Sequence, residues 1–180
     1  MAQLSGDRVS RIEPATWLFA DDGLVPNNPT LPLLVYRGAI DVVQARDPAA
    51  LFETTFARNN WTQSWRNGIY PFVHYHSMCH EVLGIARGGA RVRFGGALGE
   101  DLDVSVGDVA ILPAGTGHQC LAASHDLLVV GAYPPQGTYD LCRATPHDHV
   151  RARGTIPLVP RPQTDPLYGA AGPLLQLWGQ

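Results

Sequence analysis

The sequence predicts an all-β protein, one domain built as a sandwich or barrel. Three observations predict it. Apolar runs of strand length recur from about residue 61 to 135, Gly-rich turns separate them, and one segment alone reads convincingly as a helix. Of the 180 residues, 45% are hydrophobic and 16% charged, with 19 Gly and 15 Pro. That is enough apolar side chain for one core, too little charge for a disordered chain, and punctuation suited to many short strands.

Taken in order, residues 1–45 read as an arm that packs on the barrel. Apolar pieces (Ile12, Trp17, Leu18, Phe19) alternate there with turn signals (Asp21-Asp22-Gly23, Pro26-Asn27-Asn28-Pro29), and Leu33–Tyr36 is strand-like. The helix spans Pro48–Arg58: Asp47 is its N-cap, Pro48 takes the first helical position, Leu51, Phe52 and Phe56 share a face, and Asn59-Asn60 ends it. Ile69–His76 and Val82–Arg87 read as strands. Ala90–Phe94 follows as a half-exposed one, with Val92 between Arg91 and Arg93. Gly95, Gly96 and Gly99 make a loop. Leu102, Val104 and Val106 alternate with Asp103 and Ser105, while Val109–Leu112 and Leu127–Tyr133 are apolar enough to be buried. A Pro-rich tail, 145–180, is expected to wrap the surface, pinned by Leu174, Leu175, Leu177 and Trp178. The whole, 1–180, is one domain.

Charge narrows the function classes. The net charge is −3 and no basic block occurs, so nucleic acid is not an expected partner. All 13 basic residues are Arg, which excludes lysine Schiff-base chemistry. Three cysteines, Cys79, Cys120 and Cys142, match no zinc knuckle or redox pair, and imply a reducing, cytoplasmic compartment. Met1–Gly6 is polar, and no run of about 18 apolar residues suggests a membrane span.

The chemistry concentrates in residues 68–118. His74 and His76 are two apart in a strand pattern, so both imidazoles share a face. Glu81 opens the next strand in phase with Leu83 and Ile85; if that phase points inward, its carboxylate returns beside the histidines. Gly107-Asp108 is a turn, and the tight loop Pro113–Gly117 delivers His118 into a further strand. Three imidazoles and a carboxylate suit one divalent transition metal (Fe, Mn, Ni, Cu or Zn) better than calcium or magnesium. On an octahedral ion such a set leaves two positions open.

The run Gly68-Ile-Tyr-Pro-Phe-Val-His74-Tyr-His76-Ser-Met-Cys-His-Glu81-Val-Leu-Gly-Ile-Ala-Arg-Gly88 resembles the first cupin motif, G-x5-H-x-H-x4-E-x6-G, at every defined position. Gly107-Asp-Val-Ala-Ile-Leu-Pro113-Ala-Gly115-Thr-Gly-His118-Gln-Cys-Leu-Ala122 resembles the second, G-x5-P-x-G-x2-H-x3-N, departing only where Ala122 replaces Asn. That departure affects turn hydrogen bonding, since the Asn is not a metal ligand in the family. The resemblance is strongest to the YjlB-like single-domain bacterial cupins. It implies a double-stranded β-helix (jelly-roll) barrel, a homodimer, and the ligand set His74, His76, Glu81 and His118. Glu81 either stays a ligand or dissociates to act as a base. The chemistries implied on a small organic substrate are dioxygenation, oxidation, decarboxylation and isomerisation. A non-catalytic cupin that senses or stores a small molecule is the alternative.

Other residues carry weaker expectations. His80 should lie on the opposite face from Glu81, at a surface or interface. His147-Asp148-His149 reads as a solvated loop, His125 as a loop residue, and Arg87, Arg91 and Arg93 as a solvated strand face. Cys79 and Cys120 read as packing residues. Trp65, Tyr70 and Phe72 are candidates for the cavity wall, and Thr116 and Gln119 for orienting an imidazole.

Overall fold

The computed structural model describes residue 9 and residues 11–179. Residues 1–8 and 10 of the expected arm, and 180 of the expected tail, lie outside the described residues.

The chain runs β1 (Ala15–Trp17), β2 (Leu33–Tyr36), α1 (Pro48–Arg58), β3 (Thr62–Asn67), β4 (His74–Tyr75), β5 (Glu81–Arg87), β6 (Gly89–Phe94), β7 (Glu100–Ser105), β8 (Val109–Leu112), β9 (His118–Ala123), β10 (Leu128–Tyr133), β11 (Cys142–Arg143), α2 (Pro146–Thr155) and α3 (Pro173–Leu177). Short 3-10 turns follow β6, at Gly96–Leu98, and α2, at Ile156–Leu158. Two antiparallel sheets face each other, one ordered β1-β2-β8-β5-β10-β3, the other β11-β4-β9-β6-β7. This is a single cupin barrel. The expected arm supplies β1, the outer strand of the larger sheet.

The phase of β5 fixes the interior. Leu83 and Ile85 pack with Val92, Phe94 and Val104 of the facing sheet. Val82 and Ala86 point the other way, onto Phe52 and Phe56 of α1 and onto Leu174 and Trp178 of the tail. The central strands of the larger sheet are thus buried on both faces, which is why β5 and β8 read as nearly unbroken apolar runs. Each large side chain so buried contributes about 1.5–3 kcal/mol.

The expected helix has the bounds and cap the sequence gives it: the Asp47 carboxylate accepts from the Ala50 N–H at 3.2 Å. Three expectations change. Ile69–His76 is strand only at His74–Tyr75. Pro71 has no N–H for a ladder, and the carbonyls of Tyr70 and Pro71 accept instead from Cys120 N and Gln119 Nε2. His147-Asp148-His149 lies in α2, not in a loop. Leu177 is 42% exposed, because the i, i+4 spacing turns Leu174 and Trp178 inward. The tail does more than wrap the surface: Leu167, Leu174 and Trp178 are part of the core under the larger sheet.

Helix α2 depends on its start. Thr145 caps it, its Oγ1 accepting from Asp148 N at 3.2 Å, and Pro146 follows at the first position. Thr145→Ala should lower stability by about 1 kcal/mol, and Thr145→Asn by close to nothing. Urea midpoints of the three proteins measure this; equal midpoints for wild type and Thr145→Ala would count against the cap.

Candidate metal centre

Three strands and the turn after the first of them deliver four side chains to one end of the barrel. His74 on β4 stands directly opposite His118, the first residue of β9. His76 follows the end of β4, and Glu81 opens β5 opposite Leu112. All four are buried. One ring nitrogen from each of His74, His76 and His118 lies within 4.8 Å of those of the other two. The Glu81 Oε2 is 3.4 Å from Nε2 of both His76 and His118.

The loop before β9 is held from two sides. Gly115 N–H donates to the His76 carbonyl at 2.7 Å, and Ala114 N–H to His80 Nδ1 at 2.9 Å. From the arm, Asn28 Nδ2 donates to the Ala114 carbonyl at 3.0 Å, and Asn27 Oδ1 accepts from Gly117 N–H at 3.2 Å. Asn27 and Asn28, read from sequence as turn residues, therefore brace the segment that aims His118.

The tautomers follow from the partners. Nδ1 of His74 faces the Phe72 carbonyl at 3.1 Å, Nδ1 of His118 faces the Thr116 carbonyl at 3.1 Å, and Nδ1 of His76 faces the Asp140 carbonyl. A carbonyl only accepts, so each Nδ1 carries a proton and Nε2 is the nitrogen left to face the centre, free to ligate once any proton there is lost. His80 is the reverse: its Nδ1 accepts, which leaves the proton on Nε2. Alternation does put His80 opposite Glu81, but that face is not surface. It is covered by the tail, with the imidazole 4.8 Å from the Trp178 ring and fully buried.

Charge in the cluster is strongly coupled. Burial pushes the Glu81 carboxyl up, but the imidazoles of His76 and His118 outweigh it and hold it below the usual carboxylate range. Burial depresses His76, yet Glu81 and the Asp140 carbonyl lift it to about 8. His74, buried and beside His118, falls to about 3. The Glu81 Oε2 nevertheless has no hydrogen-bond partner.

Asp140, which carried no sequence signal, organises the far side. Its carboxylate accepts from Ser77 N at 2.8 Å, Ser77 Oγ at 2.7 Å and Met78 N at 3.1 Å. His76, Cys79 and Asp140 also come within ligating distance of one another. That carboxylate is already fully engaged and burial pushes the Cys79 thiol up to about 12, so the group acts as a brace. All three cysteines are free, and Cys120 is only half-buried.

A cavity of about 440 Å³ opens over the cluster, walled by Trp65, Tyr70, Leu83, Tyr133 and Tyr139. Trp65 and Tyr70 are where the sequence suggests. Phe72 is not in the wall: it stacks on Tyr70 at 4.8 Å, under the Arg143 guanidinium at 3.6 Å. Thr116 steadies His118 through its carbonyl rather than its hydroxyl, and Gln119 reaches Pro71 instead of an imidazole. Arg93 pairs with Asp101 at 2.6 Å on the solvated face, away from the cavity, and His125 sits in an exposed turn. Tyr133 and Tyr139 were missed. Tyr133 closes a run that reads as core, and Tyr139 lies in a loop without periodicity.

Gly131 sets the position of Trp65. The two residues are paired across β10 and β3, and a Cβ at Gly131 would come within 2.1 Å of the indole ring. Gly131→Ala should displace that ring, cost about 1–3 kcal/mol, and change the tryptophan emission. An unchanged spectrum with unchanged thermal stability would contradict this packing.

No family model matches the chain. The acireductone dioxygenase of Bacillus anthracis, solved with a cadmium ion in its active centre, is 15% identical; the match covers 49% of this chain and 61% of that one, with a TM-score of 0.36. Oxalate decarboxylase of Bacillus subtilis is 16% identical over 63% of this chain and 28% of that one, with a TM-score of 0.38. In both, the chain spans less than two thirds of the solved protein. The uncharacterized protein YjlB of Bacillus subtilis (strain 168) is 38% identical over 166 residues, 92% of this chain and 97% of the relative. With that identity spread over nearly the full length of both proteins, the chain belongs to the YjlB-like cupins.

Proposed function

We propose that the chain holds one divalent transition-metal ion through His74, His76, Glu81 and His118, and that it is a metal-dependent enzyme of oxygenase type on a small organic substrate. One observation supports this above the rest. Three imidazoles are each held by a backbone carbonyl at Nδ1, which turns Nε2 to the centre, beside a buried carboxylate oxygen with no hydrogen-bond partner. Buried polar atoms are almost always partnered, and locking the outer nitrogen is how proteins orient metal-binding histidines. The donor set of nitrogen with one oxygen fits Fe, Mn, Ni, Cu or Zn.

When bound, such an ion polarises a substrate oxygen or binds dioxygen. The chain's own residues supply the rest. Leu83 and the aromatic side chains give the cavity a largely apolar wall, and Glu81 keeps its negative charge there. No other carboxylate or imidazole lines the cavity among the described residues. Chemistry that needs a separate proton acceptor is therefore poorly served, which favours an oxygenase over an isomerase. The same fact keeps a second reading alive, a cupin that binds its small molecule without turnover.

Metal analysis of protein purified without added metal, followed by dioxygen uptake with phenols, enediols and keto acids, tests both. About one ion per chain with uptake on one class supports the enzyme. Metal without any turnover supports the binding module, and no retained metal with any divalent ion supplied removes both.

A further inference from the structure

Resting on the metal reading above, we infer the ligand class: the cavity takes a flat aromatic ligand with a single anionic oxygen, a phenolate, and rejects small dicarboxylates. The wall and the charge inventory point the same way.

The wall is aromatic and held in place. Trp65 donates its indole N–H to the Tyr133 hydroxyl at 2.8 Å, and no side chain at Gly131 intrudes between the strands. Tyr139 stands 5.5 Å from Tyr133 and 5.1 Å from His76, ring to ring, and Tyr70 stands 5.0 Å from His74. Tyr70 and Tyr139 are half-exposed and form the mouth, while Tyr133 is buried at the base beside Glu81. Aromatic faces so arranged match a flat ring by offset and edge contacts. Because the Tyr133 oxygen accepts from Trp65, its own O–H is turned toward Glu81, where an oxygen arriving at the cluster would meet it.

Charge sets the limit. One carboxylate beside a dication leaves one positive charge, which a single phenolate oxygen balances. A dicarboxylate brings a second negative charge that needs its own cation. Arg66 is the one arginine among the described lining residues, and it is held by Asp47 at 3.1 Å and Glu53 at 2.8 Å. The other described polar groups of the wall outside the metal cluster, the Gln63 and Asn67 amides and the tyrosine hydroxyls, are neutral and bring no countercharge.

The test uses zinc-loaded protein, so that binding is read without turnover, with 4-nitrophenol as probe and succinate as competitor. The absorption shift of nitrophenolate and the quenching of tryptophan emission report binding, and metal analysis of the same sample reports zinc. We expect binding at least about tenfold tighter with zinc than without, and no displacement by about a hundredfold excess of succinate. Tyr133→Phe should weaken binding about fivefold. Tyr139→Ala, at the exposed mouth, should weaken it about threefold even if Tyr133→Phe folds poorly. Displacement by succinate, or affinity indifferent to zinc, overturns the ligand class and leaves the metal site standing. Failure to retain zinc or any other divalent ion brings down the metal reading and this inference together.

Discussion

Metal-stripped protein given a divalent transition ion at about a hundredfold excess over its Kd should unfold about 5–10 °C higher, and His118→Ala should abolish the rise. The size follows from linkage. Such an excess over a folded-state-only site contributes about 2.7 kcal/mol, and in a domain of this size each kcal/mol moves Tm by about 2–4 °C. Binding is confined to the folded state because the donors come from separate elements. His74 and His118 meet only by the pairing of β4 with β9, and Glu81 arrives from the other sheet. His118→Ala removes one nitrogen and leaves Oε2 facing His76 alone. Glu81→Gln makes a sharper comparison, since it keeps the shape and removes the charge. Its Tm rise should fall well below that of wild type at the same ion concentration. Calorimetric scans at fixed protein concentration supply the readout. No shift in wild type with Mn, Fe, Co, Ni, Cu or Zn, or an equal shift in His118→Ala, would end the four-residue proposal.

How much of this was written in the chain depends on whether a signal is local. The β5 phase was legible, because Glu81, Leu83 and Ile85 sit at period two between turn residues, and the structure places Leu83 and Ile85 in the barrel interior. The cap and the Pro at the start of α1 were legible for the same reason. Thr145-Pro146 carries the same chemistry ahead of α2, but that helix buries only Ala152 and has no apolar face to reinforce the signal. His80 shows the limit most clearly. Alternation gives the face it points to, but what covers that face is Trp178, nearly a hundred positions later in a Pro-rich stretch with no period to follow. Asp140 and Tyr139 reach the cluster by tertiary packing of a loop, which leaves no mark in local sequence.

The tail's place under the larger sheet leads to the other large effect. Asp165→Ala should destabilise the fold by about 3–5 kcal/mol, more than any other single hydrogen-bonding change considered above. Asp165 is fully buried, and its carboxylate collects donors from three parts of the chain. Oδ2 accepts from the Tyr36 hydroxyl of β2 at 2.7 Å and from Leu174 N–H at the start of α3 at 3.2 Å. Oδ1 accepts from Leu167 and Tyr168 N–H at 2.8 and 3.2 Å. Truncation leaves these donors buried without their acceptor, and the tail core (Leu167, Leu174, Trp178) is aligned by the same contacts. Burial pushes the Asp165 carboxyl up, the donors only partly pull it back, and it ends above the usual range. The folded state therefore holds this proton more tightly than the unfolded chain. The resulting stabilisation is complete below the ordinary carboxylate pKa and fades as pH rises through the raised value. Asp165→Asn cannot titrate, so the stability difference between wild type and this variant should shift in favour of wild type as pH falls through that window. Urea unfolding at a series of pH values reads both effects. A loss under about 1 kcal/mol for Asp165→Ala would show that the tail is held by its apolar contacts, with the buried carboxylate incidental.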